Sequence, residues 1–264
     1  MMENMGIKKY YDRLSDDLRV AKTMQKSLLP PQLKIDAISK SHKLNIACQC
    51  ESPDDLAGNF WGVDVFDADR LFFYMADFSG HGLSAALNTF RLHSIMSVYG
   101  HELRDNILSP AEYLEKLNRD LFALLPTEQY ATMLCGIIDL KRDVFTFATA
   151  APPAPVKMTV GLQDMIALDP SGVPLGMIED AVYEVREIPF KKTEMLFFYS
   201  DVLIESQDKK GDMIGEDKFI DFCCEASMAA RPPEKFLDYF MEKFDSHVAR
   251  PLTGDLTAVT LIRR

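Results

Sequence analysis

The segment Leu71–Leu87 constrains the fold more than any other part of this chain. Its first residues, Leu71–Ala76, form a short apolar and aromatic-rich run that is typical of a strand inside a sheet. Gly80 and Gly82 allow a sharp turn, and the Ser-Ala-Ala-Leu sequence that follows favours a helix. The pattern therefore predicts a buried strand, a tight turn and a helix, in that order.

Asp77 lies where this strand ends, so its carboxylate is expected at the rim of a sheet. A carboxylate beside exposed backbone carbonyl groups suits a hard cation such as Mg²⁺ or Mn²⁺. The alternative is an acidic turn residue that caps the next helix. The motif by itself leaves both interpretations open.

Periodicity and turn signals predict more strands than helices. Ser109 and Pro110 are typical of an N-cap and a first helical residue. The predicted strands lie near 43–50, 58–66, 70–77, 130–140, 143–150, 154–160, 182–188, 194–200 and 256–263. The predicted helices lie at 8–29, 83–100, 110–124, 215–229 and 233–247. Helices layered on sheets are the simplest arrangement of these elements.

The N-terminal helix carries an apolar seam with heptad-like spacing and one polar position, formed by Leu14, Leu18, Ala21, Gln25 and Leu28. Pro30 and Pro31 end it. The seam either packs on the domain's own core or serves a dimerising or linking helix, and the sequence does not decide between these roles.

Several motifs, taken together and in order, resemble one family. Asp77-Phe-Ser-Gly-His-Gly82 resembles the Asp-Val-Ser-Gly-His-Gly segment of bacterial PPM-type (protein phosphatase 2C-like) serine/threonine phosphatases of the SpoIIE/RsbU class. The other segments with counterparts in that family are Ala21–Pro30, Asp55–Trp61, Tyr130–Asp139, Gly172–Gly176, Phe198–Asp201 and Gly254–Thr257. The resemblance extends from about residue 20 to the end of the chain.

This resemblance implies an α+β fold, a four-layer α/β/β/α sandwich of two mainly antiparallel sheets flanked by helices. It implies a linker helix over residues 1–31 and a phosphatase-like domain over 32–264. In the family, such helices often connect an upstream receiver or sensor domain to the phosphatase.

The resemblance also implies a site in which two divalent ions activate water and neutralise the phosphoryl group. Asp77 and Asp201 match the family's acids and are the expected catalytic residues. The expected metal ligands are Asp77, the carbonyl group of Phe78, Asp201 and, beside the family position, Asp255. The cofactor would be Mn²⁺ or Mg²⁺ if the protein is active, and there would be none otherwise.

The chain departs from the family pattern at this site. Asn59, Gly62 and Gly254 stand where the pattern has acids, and Val202 replaces a glycine after Asp201. Fewer carboxylates hold a hard cation less tightly, so the sequence predicts an eroded metal site. Two substitutes remain open: Asp255 in place of Gly254, and one of three nearby acids in place of Asn59, namely Asp54, Asp55 or Asp64.

The composition of the chain argues against several classes of binding partner and location. The net charge of −11 disfavours nucleic acid and anionic membranes, and no apolar run is long enough to span a bilayer. The five cysteines follow no metal or disulfide pattern, which favours reduced thiols and a cytoplasmic location.

Two functional hypotheses follow. In the first, the protein is a signalling domain with weak or absent phosphatase activity, the output of a response regulator or of a stress or sigma-factor pathway. It binds a partner protein and can dimerise through its N-terminal helix. In the alternative, it is an active Mn²⁺- or Mg²⁺-dependent phosphatase acting on a phosphorylated anti-sigma-factor antagonist.

Overall fold

The computed structural model describes residues 2–162 and 164–264, with side chains described at Lys8 and from residue 12 onward, Gln163 excepted. Within these residues there are ten strands and seven α-helices. The strands are β1 (Leu44–Glu51), β2 (Asn59–Val65), β3 (Arg70–Phe78), β4 (Ala131–Asp139), β5 (Val144–Ala150), β6 (Val156–Thr159), β7 (Ile166–Ala167), β8 (Arg186–Pro189), β9 (Glu194–Tyr199) and β10 (Leu256–Arg263). The helices are α1 (Met2–Lys26), α2 (Gln32–Ser41), α3 (Gly82–Arg104), α4 (Pro110–Leu124), α5 (Val202–Glu205), α6 (Gly215–Ala229) and α7 (Phe236–His247), the last preceded by a 3₁₀ turn at Pro233–Lys235.

The strands form two five-stranded sheets, in the orders β2-β3-β4-β5-β8 and β1-β10-β9-β6-β7. Every pairing is antiparallel. Helices α3 and α4 cover the outer face of the first sheet, and α6 and α7 cover the second. The predicted four-layer sandwich is confirmed.

A third apolar layer lies between the two sheets. Phe73 of β3 stacks on Phe198 of β9 with ring centroids 4.2 Å apart, and Phe145 meets Phe198 edge-on at 5.9 Å. Because side chains alternate along a strand, Leu71, Phe73 and Met75 all point into this layer. Asp77, two residues after Met75, therefore lies on the same inner face.

The predicted turn and helix after β3 are confirmed. Gly80 and Gly82 have φ values of +86° and +73°, in the left-handed region that favours glycine. The helix that follows extends to Arg104, beyond the predicted residue 100. The predicted cap of α4 is also confirmed, since the Ser109 hydroxyl accepts from the Glu112 N–H group and the Glu112 carboxylate accepts from the Ser109 N–H group.

Other elements differ from the predictions. Helix α2 was not predicted; it has no side-chain cap and is held by two buried residues, Ile35 and Ile38. Strand β7 and helix α5 have only two and four residues, too few for a periodic signal. The strand predicted at 182–188 was placed too early, because pairing with β5 begins only at Arg186 and Val182 is 77% exposed.

The N-terminal helix spans Met2–Lys26 rather than 8–29. Of its seam, Leu14 is exposed and Leu18 is half-buried, whereas Gln25 is only 7% exposed. The end of the helix therefore packs on the domain, and the dimerising or linking role of the rest stays a prediction. None of the helices described has the length and apolar composition needed to cross a membrane.

Candidate functional site

Three aspartates come together where the edges of the two sheets meet. Asp77 lies near the end of β3, opposite Asn59 of β2. Asp201 follows the end of β9, and Asp255 immediately precedes β10. Because β9 and β10 are antiparallel neighbours, the end of one and the start of the other lie at the same edge.

These aspartates line one cavity of about 380 Å³. Asp54 and Glu205 also line it, so five carboxyl groups face a single space. Among the residues that the structure describes, no lysine or arginine contributes to this lining, and His81 is its one imidazole. The cavity therefore has a strongly negative potential.

The electrostatics of the site reflect this crowding. Burial raises the pKa of Asp77 well above its usual range, and the neighbouring charges of Asp201 and Asp255 raise it further. Burial also raises the pKa of Asp201. A hydrogen bond from the Val202 N–H group lowers this pKa, and the charge of Asp255 raises it by a smaller amount. The protein thus holds its carboxyl groups close together against their mutual repulsion.

The loop before β2 holds Asp255 in this position. The Gly58 N–H group donates to Oδ2 of Asp255 at 2.5 Å, and Nδ2 of Asn59 donates to the backbone oxygen of Asp255 at 2.9 Å. Both sheets therefore contribute to holding Asp255 beside Asp77 and Asp201. The sequence alone did not indicate whether Asp255 reaches this place.

Gly62 and Gly254 occupy very different surroundings. A Cβ atom on Gly62 would lie 2.2 Å from the hydroxyl oxygen of Tyr74, in the layer between the sheet and α3. An acid at position 62 would therefore point away from the cavity, and its absence does not weaken the site. Gly254 does line the cavity, and a Cβ atom there would make ordinary contact with Val202 at 3.6 Å.

The backbone at Val202 has no need of glycine. Asp201 has right-handed helical dihedral angles (φ −55°, ψ −27°), and Val202 is the first residue of α5. A β-branched residue is tolerated in this conformation. The short helix also presents Glu205 to the cavity, four residues after Asp201. Sequence reasoning missed Glu205 because nothing indicated a helix there.

Of the three acids considered as substitutes for Asn59, only Asp54 lines the cavity, 3.7 Å from the exposed His81 ring. Asp55 lies 3.8 Å from Lys22 of α1. Asp64 pairs with Lys34 at 2.5 Å, in a groove on the far side of the first sheet.

The oxygen atoms that line the cavity suit a divalent cation in their chemistry. These donors, which are carboxylates and the backbone of Phe78, are those that Mg²⁺ and Mn²⁺ prefer. However, no three His, Cys, Asp or Glu side chains in the described part of the chain are arranged closely enough to hold a metal ion. The residues therefore fit a hard cation in their chemistry but do not form a closed three-ligand site.

A second hollow of about 280 Å³ adjoins the acidic cavity and shares Asp77 and Asp201 with it. Its walls are mainly apolar and include Pro152, Pro153 and Ile204. The acidic centre therefore opens on one side to a charged cavity and on the other to an apolar one.

Comparison with known proteins identifies the family. The sequence model of stage II sporulation protein E (SpoIIE) matches residues 67–264, three-quarters of the chain. This chain belongs to the SpoIIE family. It is a PPM-type signalling phosphatase domain of the kind found in RsbU, RsbP and SpoIIE, a family that is generally Mn²⁺- or Mg²⁺-dependent.

Individual relatives are more distant. Phosphoserine phosphatase RsbP of Bacillus subtilis (strain 168) is 25% identical over 194 residues, which cover 72% of this chain but only 45% of RsbP. The SiaA-PP2C domain of Pseudomonas aeruginosa superimposes with a TM-score of 0.82 over 97% of this chain and 99% of that one, at 18% identity. The SpoIIE phosphatase domain of Bacillus subtilis, solved with a fragment of its regulatory domain, gives a TM-score of 0.69 over 84% of this chain and 64% of that one, at 17% identity. At these identities the structural likenesses establish the fold alone.

The raised pKa of Asp77 predicts how stability depends on pH. A carboxyl group with a higher pKa in the folded than in the unfolded chain binds more protons when folded, so the free energy of unfolding falls as the pH rises above about 4. Asp77→Asn removes this penalty. In metal-free buffer with a chelator, the variant should be more stable than the wild type at neutral pH and should lose less stability between acidic and neutral pH.

Urea denaturation at a series of pH values measures this difference. Asp17→Asn, at an exposed position of α1, is the control and should follow the wild type. If the Asp77→Asn variant lost stability with rising pH as steeply as the wild type, Asp77 would not be the source of the pH dependence.

Proposed function

We propose that this protein is a signalling output domain with weak, cation-dependent phosphoserine or phosphothreonine phosphatase activity. The observation that carries the proposal is the cavity lined by five carboxyl groups, with no lysine or arginine among its described lining residues. A phosphate dianion is repelled from such a cavity unless a cation neutralises it. The proposal therefore makes phosphate binding depend on a divalent cation.

In this proposal Asp77, Asp201 and the carbonyl oxygen of Phe78 would hold the cation, and the Asp255 carboxylate would add its charge beside them, since the three carboxylates do not form a closed site. A cation bound there would supply charge neutralisation at the phosphoryl group and activation of water. Asp77, the most strongly perturbed carboxyl group, must lose its proton before a cation binds. The Gly58 N–H group orients the Asp255 carboxylate.

Two features support weak rather than strong activity. Asn59, opposite Asp77, has no charge, and its amide nitrogen is committed to the backbone of Asp255. Gly254 lines the cavity without contributing a ligand. The ion's dehydration penalty is unchanged by these substitutions, whereas the negative charge that offsets it is reduced.

The second candidate function is a binding module without catalysis. The observation in its favour is the hydrogen bond from Asn59 to Asp255, which makes the Asn59 position a structural link between the two sheets. In this case the fold docks a partner protein.

We propose a phosphorylated signalling protein, such as an anti-sigma-factor antagonist, as substrate or partner; RsbP, similar in sequence, is named a phosphoserine phosphatase. The charge of −11 argues against nucleic acid and anionic membranes. The five free cysteines are consistent with the cytoplasm.

We also propose that residues 1–31 link residues 32–264 to an upstream receiver or sensor domain, or to a second copy of the chain. Gln25 supports this role because its side chain forms two hydrogen bonds with Ala57, in the loop before β2. We call this pair of hydrogen bonds the clasp. The Nε2 atom of Gln25 donates to the Ala57 oxygen at 2.6 Å, and its Oε1 accepts from the Ala57 N–H group at 2.9 Å. The N–H group of the next residue, Gly58, donates to the Asp255 carboxylate. A displacement of α1 would therefore shift the position of that carboxylate.

The proposed phosphatase activity can be measured directly. We expect the wild type to hydrolyse p-nitrophenyl phosphate slowly with millimolar Mn²⁺ and not at all with a chelator, and we expect Asp77→Asn to abolish the metal-dependent part. Mn²⁺ should also stabilise the wild type, by about 1.4 kcal/mol at ten times its Kd. A folded protein with neither turnover nor a thermal shift would instead support the binding module.

The second prediction restores the missing acids. The Asn59→Asp/Gly254→Asp double variant should bind Mn²⁺ at least about tenfold more tightly, equivalent to about 1.4 kcal/mol, and should be less stable than the wild type without metal. Isothermal titration measures the affinity. Gly62→Asp is the control: its side chain would collide with Tyr74, so it should lower stability without improving metal affinity. Equal Mn²⁺ affinity in the double variant and the wild type would contradict the proposed erosion.

The third prediction concerns the clasp. Gln25→Ala leaves both backbone groups of Ala57 without their partner, which typically destabilises by about 1–3 kcal/mol. Amide hydrogen exchange should become faster at Ala57 and Gly58. Met24→Ala, at a neighbouring exposed position, should leave their exchange unchanged. Unaltered exchange in Gln25→Ala would rule out coupling through this clasp.

A further inference from the structure

Two cysteines lie side by side on the edge of the second sheet. Cys48 and Cys50 are two residues apart on β1, so both side chains point to the same face of the strand. That face is the inner one, where Cys48 packs against the apolar layer between the sheets. Strand β1 has a neighbour on one side only, β10, so the pair is near solvent, and Cys50 is exposed.

The Cys50 sulfur has a hydrogen-bond donor and lies near a buried indole group. The Thr257 hydroxyl donates to its Sγ at 3.9 Å. The indole N–H group of Trp61 is buried and has no hydrogen-bond partner among the described residues. The interaction with Cys48 and the hydrogen bond from Thr257 lower the pKa of Cys50 to about 7 although burial opposes this, and the same interaction raises the pKa of Cys48.

Cys50 also opens into a cavity of about 170 Å³ between α1 and the sheet. The charged groups that face this cavity are Lys22 and Lys26 from α1, Glu51 from β1 and Asp55 from the loop before β2. A small oxidant therefore has access to the Cys50 sulfur through a cavity in which two lysines are balanced by two carboxylates.

We propose that Cys50 and Cys48 form a reversible dithiol–disulfide pair, in which Cys50 is the site of oxidation by hydroperoxides and Cys48 is the resolving thiol. This modification site is separate from the carboxylate cavity and does not depend on the proposed phosphatase activity.

The chemistry balances in two steps. The Cys50 thiolate attacks one oxygen of the hydroperoxide, so that an S–O bond forms, the O–O bond breaks and the alcohol leaves after taking a proton. Cys48 then attacks the Cys50 sulfur; the S–S bond forms, the S–O bond breaks, and hydroxide leaves with the Cys48 proton as water. Two electrons pass from the sulfurs to the peroxide.

The geometry makes this disulfide reversible rather than structural. Residues two apart on a strand have Cα atoms about 6.6–6.8 Å apart, at the upper limit of about 6.8 Å for a disulfide. Side chains on one face of a strand are parallel, so the Cβ atoms are separated by about the same distance, whereas a disulfide needs about 3.5–4.5 Å. The bond therefore closes only when the end of the edge strand bends by about 2 Å, and thiols should reduce it readily.

The experiment is peptide mapping of the full chain after mild treatment with hydrogen peroxide and alkylation of the remaining thiols. Trypsin releases both cysteines in one peptide, residues 44–70. We expect this peptide to lose two hydrogen atoms and to escape alkylation, with both effects reversed by dithiothreitol. Cys48→Ser should instead accumulate a dimedone-reactive sulfenic acid at Cys50, and Cys50→Ser should give neither product.

Cys224, which is partly exposed on α6, is the internal reference in the tryptic peptide that spans residues 219–235, since trypsin does not cleave between Arg231 and Pro232. If peptide 44–70 stays fully alkylated while Cys224 is oxidised, the proposal is wrong. The same conclusion follows if Cys48→Ser forms no sulfenic acid at Cys50. The wild-type mapping needs no substitution, so it decides the question even if a variant fails to fold.

Discussion

The site depends on the contact between the two sheets. Phe73 and Phe198 stack across the interface at 4.2 Å, and each lies only a few residues before an aspartate of the site, Asp77 or Asp201. Since the strands are regular, fixing the two rings also fixes where the strands end. The free energy of this apolar packing offsets the cost of the burial and the repulsion that together raise the pKa of Asp77. A loosened inter-sheet layer would let the carboxylates separate, so packing and chemistry cannot be varied independently.

Repulsion explains how the departures from the family pattern act. An acid at position 59 or 254 would add negative charge for a cation to neutralise, and it would also add repulsion in the metal-free protein. Asn59 also stabilises the contact between the sheets, because its amide group donates a hydrogen bond to the backbone of Asp255 where an acid would repel the neighbouring carboxylates. Asn59 in place of an acid stabilises the metal-free fold, which favours a protein that works mainly by docking a partner. It lowers the charge available to bind a cation, which disfavours an efficient phosphatase. In the proposed function, positions 59 and 254 therefore set the balance between metal affinity and metal-free stability.

One edge of the molecule connects the features outside the cavity. The end of α1, the loop before β2 and the ends of β1 and β10 meet there, and Gln25 and Cys50 line a common cavity. Thr257, which donates to Cys50, lies two residues after Asp255 on the same chain segment. Movement of the N-terminal helix and oxidation of the thiol pair would thus act on neighbouring parts of one structural unit.

The sequence by itself determined the local elements and the family. The strand, turn and helix around Asp77 were predictable because a short apolar run, glycine and helix propensity act over a few residues. Asp77 was identifiable because it directly follows that run, and Asp201 was identifiable because its motif resembles that of the family. Tertiary structure decided the rest. Helix α2 exists because two isoleucines find the inter-sheet core, Gly62 faces the α3 layer rather than the site, and Glu205 joins the cavity through a helix too short to leave a pattern. Asp255 stands beside Asp77 because hydrogen bonds from a loop almost two hundred residues away in sequence hold it there, and such contacts leave no periodic signal in the sequence.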